Sequence, residues 1–201
     1  MSPVALSHLS RADRTLGRLI RKVGPCTLKP KTRRSPFESL VRSVAYQQLN
    51  GTAASTILGR VKALYPKRRF PSPEQILETS DEHLRGAGLS RAKVAAIKDI
   101  AAKTIMGVVP NSRAIAKMNE AEIIERLTTL RGVGPWTVEM LLIFTLGRAD
   151  VLPATDYGVR KGFALTYGWN ELPTPKELLE FGERWRPHRT TAAWYFWRAL
   201  D

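Results

Sequence analysis

A single cysteine, Cys26, is all the thiol chemistry the 201-residue sequence contains. One cysteine forms no internal disulfide and supplies no metal or iron-sulfur centre built from several thiolates of one chain. Long apolar runs are missing too. The first thirty residues hold no stretch of signal-peptide length, and no later segment approaches the roughly 20 apolar residues needed to cross a bilayer. These absences lead us to expect a soluble, cytoplasmic protein. No segment alternates apolar and polar residues for long enough to suggest a sheet. Acids are scarce where the chain begins. Residues 1–70 carry fifteen Lys and Arg against two acids, Asp13 and Glu38, a balance of +13. The rest, seventeen basic against sixteen acidic, adds +1 to reach the total of +14.

Such an excess of one sign fits a polyanionic partner, and nucleic acid suits it better than a membrane surface. The clusters "KPKTRRS" (Lys29 to Ser35) and "PKRRF" (Pro66 to Phe70) suit phosphate contacts through Arg33, Arg34, Arg68 and Arg69. A hydrophobic content of 43% is enough to build a core in one domain or in two small lobes. The apolar period is helical nearly throughout. Phe37, Leu40, Val41, Val44 and Ala45 form one stripe after Pro36, and Ile57, Leu58, Val61 and Leu64 form another after Asn50 and Gly51. Helix starts are marked at Ser72-Pro73, Ser80, Ser90 and Thr174-Pro175, and a last helix lies between Pro187 and Trp197. The residues before Phe37 read mainly as one basic amphipathic helix. The class is therefore all-α, with roughly ten short helices and no linker rich in Gly, Ser and Pro. Residues 1–201 read as a single helical domain of two sub-lobes.

The stretch "LRGVGPWTVEM" (Leu130 to Met140) sits between two helical patterns, and Pro135 suits the first position of the second helix. Gly132 and Gly134 permit a close backbone approach, and helix-start N–H groups favour an anion such as phosphate. A glycine cap followed by a new helix explains the same residues, so the hairpin alone leaves both readings open. Trp136 and Met140 lie one turn apart on that helix. Asp156, alone, reads as an N-cap.

Five segments taken together resemble a known family. They are "LRGVGPWTVEM" with "VLPATDYGVRKGF" (Val151 to Phe163), "FESLVRSVAYQQL" (Phe37 to Leu49), "GLSRAKVAAIKDIA" (Gly88 to Ala101) and "ERWRPHRTTAAWYFW" (Glu183 to Trp197). In their order along the chain they resemble the helix-hairpin-helix (HhH-GPD) DNA glycosylases, and within them the 3-methyladenine DNA glycosylase II, or AlkA-type, branch. The resemblance runs from about residue 36 to the end. It implies the helix-hairpin-helix glycosylase fold, two helical lobes with an active-site cleft between them, and a hairpin motif over about residues 124–146. Only about 35 residues precede Phe37, so this looks like the compact form without a β-rich domain.

The resemblance also implies roles. Asp156 is the catalytic carboxylate, and Trp136, Tyr157, Trp197 and Met140 line a pocket for a flipped base. Gly132, Val133, Gly134 and Thr137 hold a DNA phosphate, and Gln48 and Leu49 in "QQLN" form the minor-groove wedge; a core position for Leu49 is the alternative. No metal is required, although family members often carry a monovalent cation, Na⁺ or K⁺, on hairpin carbonyls. Trp136 stands where bifunctional members have a Schiff-base lysine, so no lyase activity is expected. Met140 and His188 replace aromatics of some relatives, which leaves substrate breadth open. Trp194 and Phe196 read as core, and Glu139 and Asp150 as surface acids. The implied activity is hydrolysis of the N-glycosidic bond of alkylated purines in base excision repair, by a monomer associated with the nucleoid. Hypoxanthine, ethenoadenine or uracil as the lesion, or DNA binding without catalysis, are the alternatives.

Overall fold

The computed structural model of the chain describes residues 3–49 and 51–201. Among the described residues every regular element is helical, as the apolar period requires. The chain forms two compact units: Met1–Lys31 with Leu142–Asp201, and Thr32–Leu141. No glycine-rich linker marks either crossing. The second crossing falls inside a continuous helical run, where α-helix passes into a π-helical turn at Leu142–Leu146.

The first unit opens with α1 (Pro3–Ala12) and α2 (Arg14–Val23). One helix was expected here, but Asp13 divides it. Asp13 is extended, at φ −150 and ψ 106, and its side chain accepts the amides of Thr15 and Leu16. A short acceptor that can satisfy the first orphan N–H groups of a helix favours a new start over continuation.

The second unit holds α3 (Pro36–Tyr46), α4 (Gly51–Ala63), α5 (Pro73–Glu78), α6 (Asp81–Gly86) and α7 (Arg91–Ile105). It continues with α8 (Ser112–Ile115), α9 (Glu120–Leu127) and α10 (Pro135–Leu141). Ser35, Ser72, Ser80 and Ser90 cap the helices that follow them, each accepting a backbone N–H. The stripe Phe37, Leu40, Val41, Val44 and Ala45 is buried throughout. It packs α3 against α7 and α10, and α7 also packs on α5 and α6. Burial of each large aliphatic side chain in that stripe contributes ~1.5 to 3 kcal/mol.

The chain re-enters the first unit with α11 (Tyr157–Tyr167), α12 (Pro175–Gly182) and α13 (Arg189–Arg198). Phe163, Tyr167, Phe181, Trp185 and Phe196 form an aromatic cluster with ring centroids 4.5 to 6.3 Å apart. Trp194 and Phe196 are buried, as expected of core residues. The helices α11 and α13 meet backbone to backbone, because a Cβ at Gly162 would run into the Phe196 carbonyl. That contact brings the start of α11 within reach of Trp197.

Candidate active site and nucleic-acid interface

In the second unit, α9 ends at Leu127 and α10 begins at Pro135, the residue read as suited to a first helical position. The turn closes with the Val133 N–H donating to the Leu130 carbonyl at 3.2 Å. Gly132 has φ 71, the left-handed value required at the third position of a type II turn. Glycine adopts it without a Cβ clash. Gly132 and Gly134 are exposed, and among the described residues no protein acceptor takes their N–H groups. They are the donors available to a phosphate.

Two of the four hairpin residues are corrected by these contacts. Val133 is buried, and its N–H closes the turn instead of facing outward. Thr137 is also buried; its N–H donates to the Gly134 carbonyl, and its hydroxyl accepts from Gln47 Nε2 at 3.2 Å. The loop is held from α7 as well. The Asp99 carboxylate accepts the Arg131 N–H at 2.8 Å, while Lys103 Nζ donates to the Thr129 carbonyl at 2.9 Å and pairs with Asp99. Among the described residues the hairpin carbonyls of Leu130 and Gly132 each accept one N–H, which leaves each a second lone pair. Neutral oxygens of this kind suit a monovalent cation, and no group of three His, Cys, Asp or Glu side chains placed to hold a metal occurs among the described residues.

The turn after α3 projects from the same unit. Leu49 N–H donates to the Tyr46 carbonyl at 3.3 Å, Gln47 has φ −54 and ψ 134, and Gln48 has φ 57. This is a second type II turn, with glutamine where glycine is usual. Gln48 is exposed, and Leu49 is 39% exposed, so Leu49 is not a core residue. Asn50, the last of the "QQLN" residues, lies outside the described residues. Trp136 and Met140 are half-buried one turn apart on α10.

In the first unit, Asp156 caps α11. Its Oδ1 accepts the Val159 N–H at 2.8 Å and the Trp197 indole Nε1–H at 2.9 Å. Trp197 is half-buried and stacks on Phe144, with ring centroids 5.5 Å apart and planes at 28°. The indole therefore orients the carboxylate as well as presenting an aromatic surface, a link that no sequence pattern marked. Gly158 leaves room for this pair, since a Cβ there would meet Trp197 Cδ1 at 2.9 Å. Tyr157 is 63% exposed, with Lys161 over its ring.

Both acids of the basic first seventy residues are buried. Asp13 caps α2 and accepts from Tyr167 Oη at 2.6 Å and Trp185 Nε1 at 3.1 Å. Burial and the neighbouring carboxylate push the Tyr167 phenol far above its ordinary pKa. Glu38 is surrounded by Arg34, Arg42 and Arg69 at 3.9, 2.9 and 2.9 Å. The consequence is twofold. The outer surface of this segment is left with cations alone, yet Arg34 and Arg69 are engaged as partners of Glu38, which corrects the reading of all four clustered arginines as free phosphate ligands. Asp150 is not a simple surface acid either, since Arg186 and Arg189 bind it at 2.6 and 2.8 Å. Glu139 is half-buried on α10. No helix among the described residues is long and apolar enough to cross a membrane.

With this geometry in hand, comparison with known proteins is specific. A family model described as HhH-GPD superfamily base excision DNA repair protein matches residues 41–187. The chain is 40% identical over 194 residues to DNA-3-methyladenine glycosylase 1 of Schizosaccharomyces pombe, covering 95% of this chain and 84% of the relative. The S. pombe 3-methyladenine DNA glycosylase in complex with abasic DNA superposes with a TM-score of 0.89 at 40% identity, covering 96% of this chain and 95% of that one. The crystal structure of DNA-3-methyladenine glycosidase from Bacillus halodurans gives a TM-score of 0.87 at 36% identity, covering 100% and 90%.

Proposed function

The chain belongs to the HhH-GPD superfamily of base excision DNA repair proteins, and on that premise we propose that it is a monofunctional DNA glycosylase for alkylated purines. The substrate is duplex DNA carrying 3-methyladenine, 7-methylguanine or a related base, and the enzyme acts as a monomer. The observation that carries this reading is the carboxylate of Asp156, fixed at a helix start by the Val159 amide and the Trp197 indole.

The roles divide between the two units. The exposed Gly132 and Gly134 amides bind a backbone phosphate beside the lesion, a contact that positions without reading sequence. Leu49 and Gln48 enter the minor groove and replace the stacking lost when the nucleotide turns out of the helix. Tyr157 and Trp197 in the first unit, and Trp136 in the second, each carry an aromatic ring of the kind that stacks on a base. An N-alkylated purine carries positive ring charge, so each favourable aromatic face contributes ~0.5 to 2 kcal/mol of cation-π attraction. Met140, one turn from Trp136, adds a polarizable side chain beside that ring.

Cleavage needs no acid. The bond from C1′ to the ring nitrogen breaks with its electron pair going to the base, which leaves neutral, and positive charge passes to the sugar. The Asp156 carboxylate stabilises that oxocarbenium-like centre, and a water adds to C1′ and loses a proton, leaving an abasic site. Trp136 occupies the place of a Schiff-base lysine, so the reaction stops there with the strand intact. A monovalent cation on the hairpin carbonyls would reinforce the phosphate contact and has no part in bond cleavage.

The test is base release from duplexes containing 3-methyladenine, 7-methylguanine, hypoxanthine, 1,N6-ethenoadenine or uracil, read by chromatography of the free base. Release of the methylated purines without strand cleavage is the expected result. Release of uracil alone overturns the assignment.

A further inference from the structure

The turn after α3 holds a conformation that its own residues disfavour. A left-handed φ of 57 at Gln48 is unfavourable for a non-glycine residue, because it brings the Cβ too close to the following carbonyl oxygen. Such a conformation persists only when the surroundings hold it, and two side chains of the second unit do so. Lys93, near the start of α7, donates from Nζ to the Ala45 carbonyl at 2.9 Å and to the Gln47 carbonyl at 2.8 Å. These acceptors lie at the C-terminal end of α3, where carbonyls lack helical partners and the helix dipole favours a cation. Burial pushes the Lys93 pKa below its ordinary value, in keeping with an ammonium turned into the protein. From the turn itself, Gln47 Nε2 donates to the Gly132 carbonyl at 3.0 Å and to Thr137 Oγ1 at 3.2 Å.

The four bonds connect two places that the proposed function uses separately. The Gln47 amide ends on the hairpin glycine whose N–H faces outward, while the Gln47 backbone, held by Lys93, leads into Gln48 and Leu49. We propose that Lys93 and Gln47 are positioning residues that lock the Tyr46–Leu49 turn to the Gly132 hairpin, so that phosphate binding and minor-groove insertion act as one rigid piece. This rests on the reading of the hairpin and the wedge given above. Physically, a side chain inserted between base steps replaces stacking only if its backbone does not yield, and a loosened support degrades the geometry at the reacting bond.

The test uses the full chain and a duplex with an abasic-site analogue beside 2-aminopurine, whose fluorescence rises on unstacking. Lys93→Met is expected to reduce that rise and to slow single-turnover release of the alkylated base about tenfold or more. Binding to undamaged duplex stays within about twofold, because the free hairpin amides remain. Lys93→Arg restores most of the signal, since a guanidinium also donates to two carbonyls. A thermal-melting cycle without DNA reads the lock itself. Lys93→Met lowers Tm in the native chain but much less in a Gln48→Gly background, because glycine accepts this φ unaided.

Unchanged fluorescence and release in Lys93→Met overturn the proposal, as do equal Tm losses in the two backgrounds. If Lys93→Met does not fold, Gln47→Leu takes its place in both measurements with the same expected and overturning results. Absence of base release by the native protein defeats the functional reading, whereas the melting cycle still decides whether the lock exists.

Discussion

Trp197 Nε1 lies 2.9 Å from Asp156 Oδ1, and this hydrogen bond ties α13 to the first turn of α11. The same carboxylate oxygen accepts the Val159 amide, so Asp156 serves at once as a helix cap and as the proposed stabiliser of sugar charge. The two duties can be separated by substitution.

Asparagine caps a helix about as well as aspartate. Asp156→Asn should therefore keep the melting temperature and the affinity for DNA containing an abasic-site analogue, while base release falls by roughly 10² to 10³, the range for a lost electrostatic stabiliser. Release at the native rate would remove Asp156 from the mechanism.

Trp197→Phe keeps a ring against Phe144 but deletes the donor to Asp156. Single-turnover release should fall about tenfold, the effect of a small displacement of a catalytic group, with KM little changed. A raised KM at constant kcat would instead assign Trp197 to base binding alone.

The arginines of the first seventy residues should separate into two classes. Arg33 and Arg68 are exposed, so Arg33→Gln with Arg68→Gln should reduce the slope of log K against log salt by about 1 for each arginine that meets a phosphate, at constant Tm. Arg69→Gln should lower Tm, because it removes a partner from the buried Glu38. An unchanged slope in the first pair would mean that those charges are merely solvated.

Gly162→Ala places a methyl group on the Phe196 carbonyl and forces α11 away from α13. A loss of more than about 3 kcal/mol is expected from overpacking against backbone, measured by urea unfolding. A stability within error of the native protein would show that the two helices can slide apart freely.

Asp150 supplies a pH dependence. Burial alone would raise its pKa, but hydrogen bonds from Arg189 and the charges of Arg189 and Arg186 hold it below the ordinary carboxylate range. A carboxylate with a depressed folded pKa stabilises the fold above its unfolded value of ~3.9, and that contribution is lost as pH falls through the folded value. Asp150→Asn should cost about 1 kcal/mol at neutral pH after solvent screening. The gap between native and variant unfolding midpoints should narrow at pH 3, and a gap of equal size at both pH values would contradict this account.

Much of the fold was legible along the chain because its cues are local. Ser72-Pro73 and Thr174-Pro175 cap helices within three residues, and the Phe37 to Ala45 stripe states its buried face by period alone. Gly132, Pro135 and Asp156 likewise announce a turn, a helix start and a cap. Tertiary structure decided what those residues touch. Gln47 reaches Gly132 across 85 residues, Trp197 reaches Asp156 across 41, and Trp185 reaches Asp13 across 172. No periodicity encodes such pairs, because each depends on how separately formed helices pack. That packing turned Val133 and Thr137 inward, exposed Leu49, and buried the two acids that the sequence placed among fifteen cations.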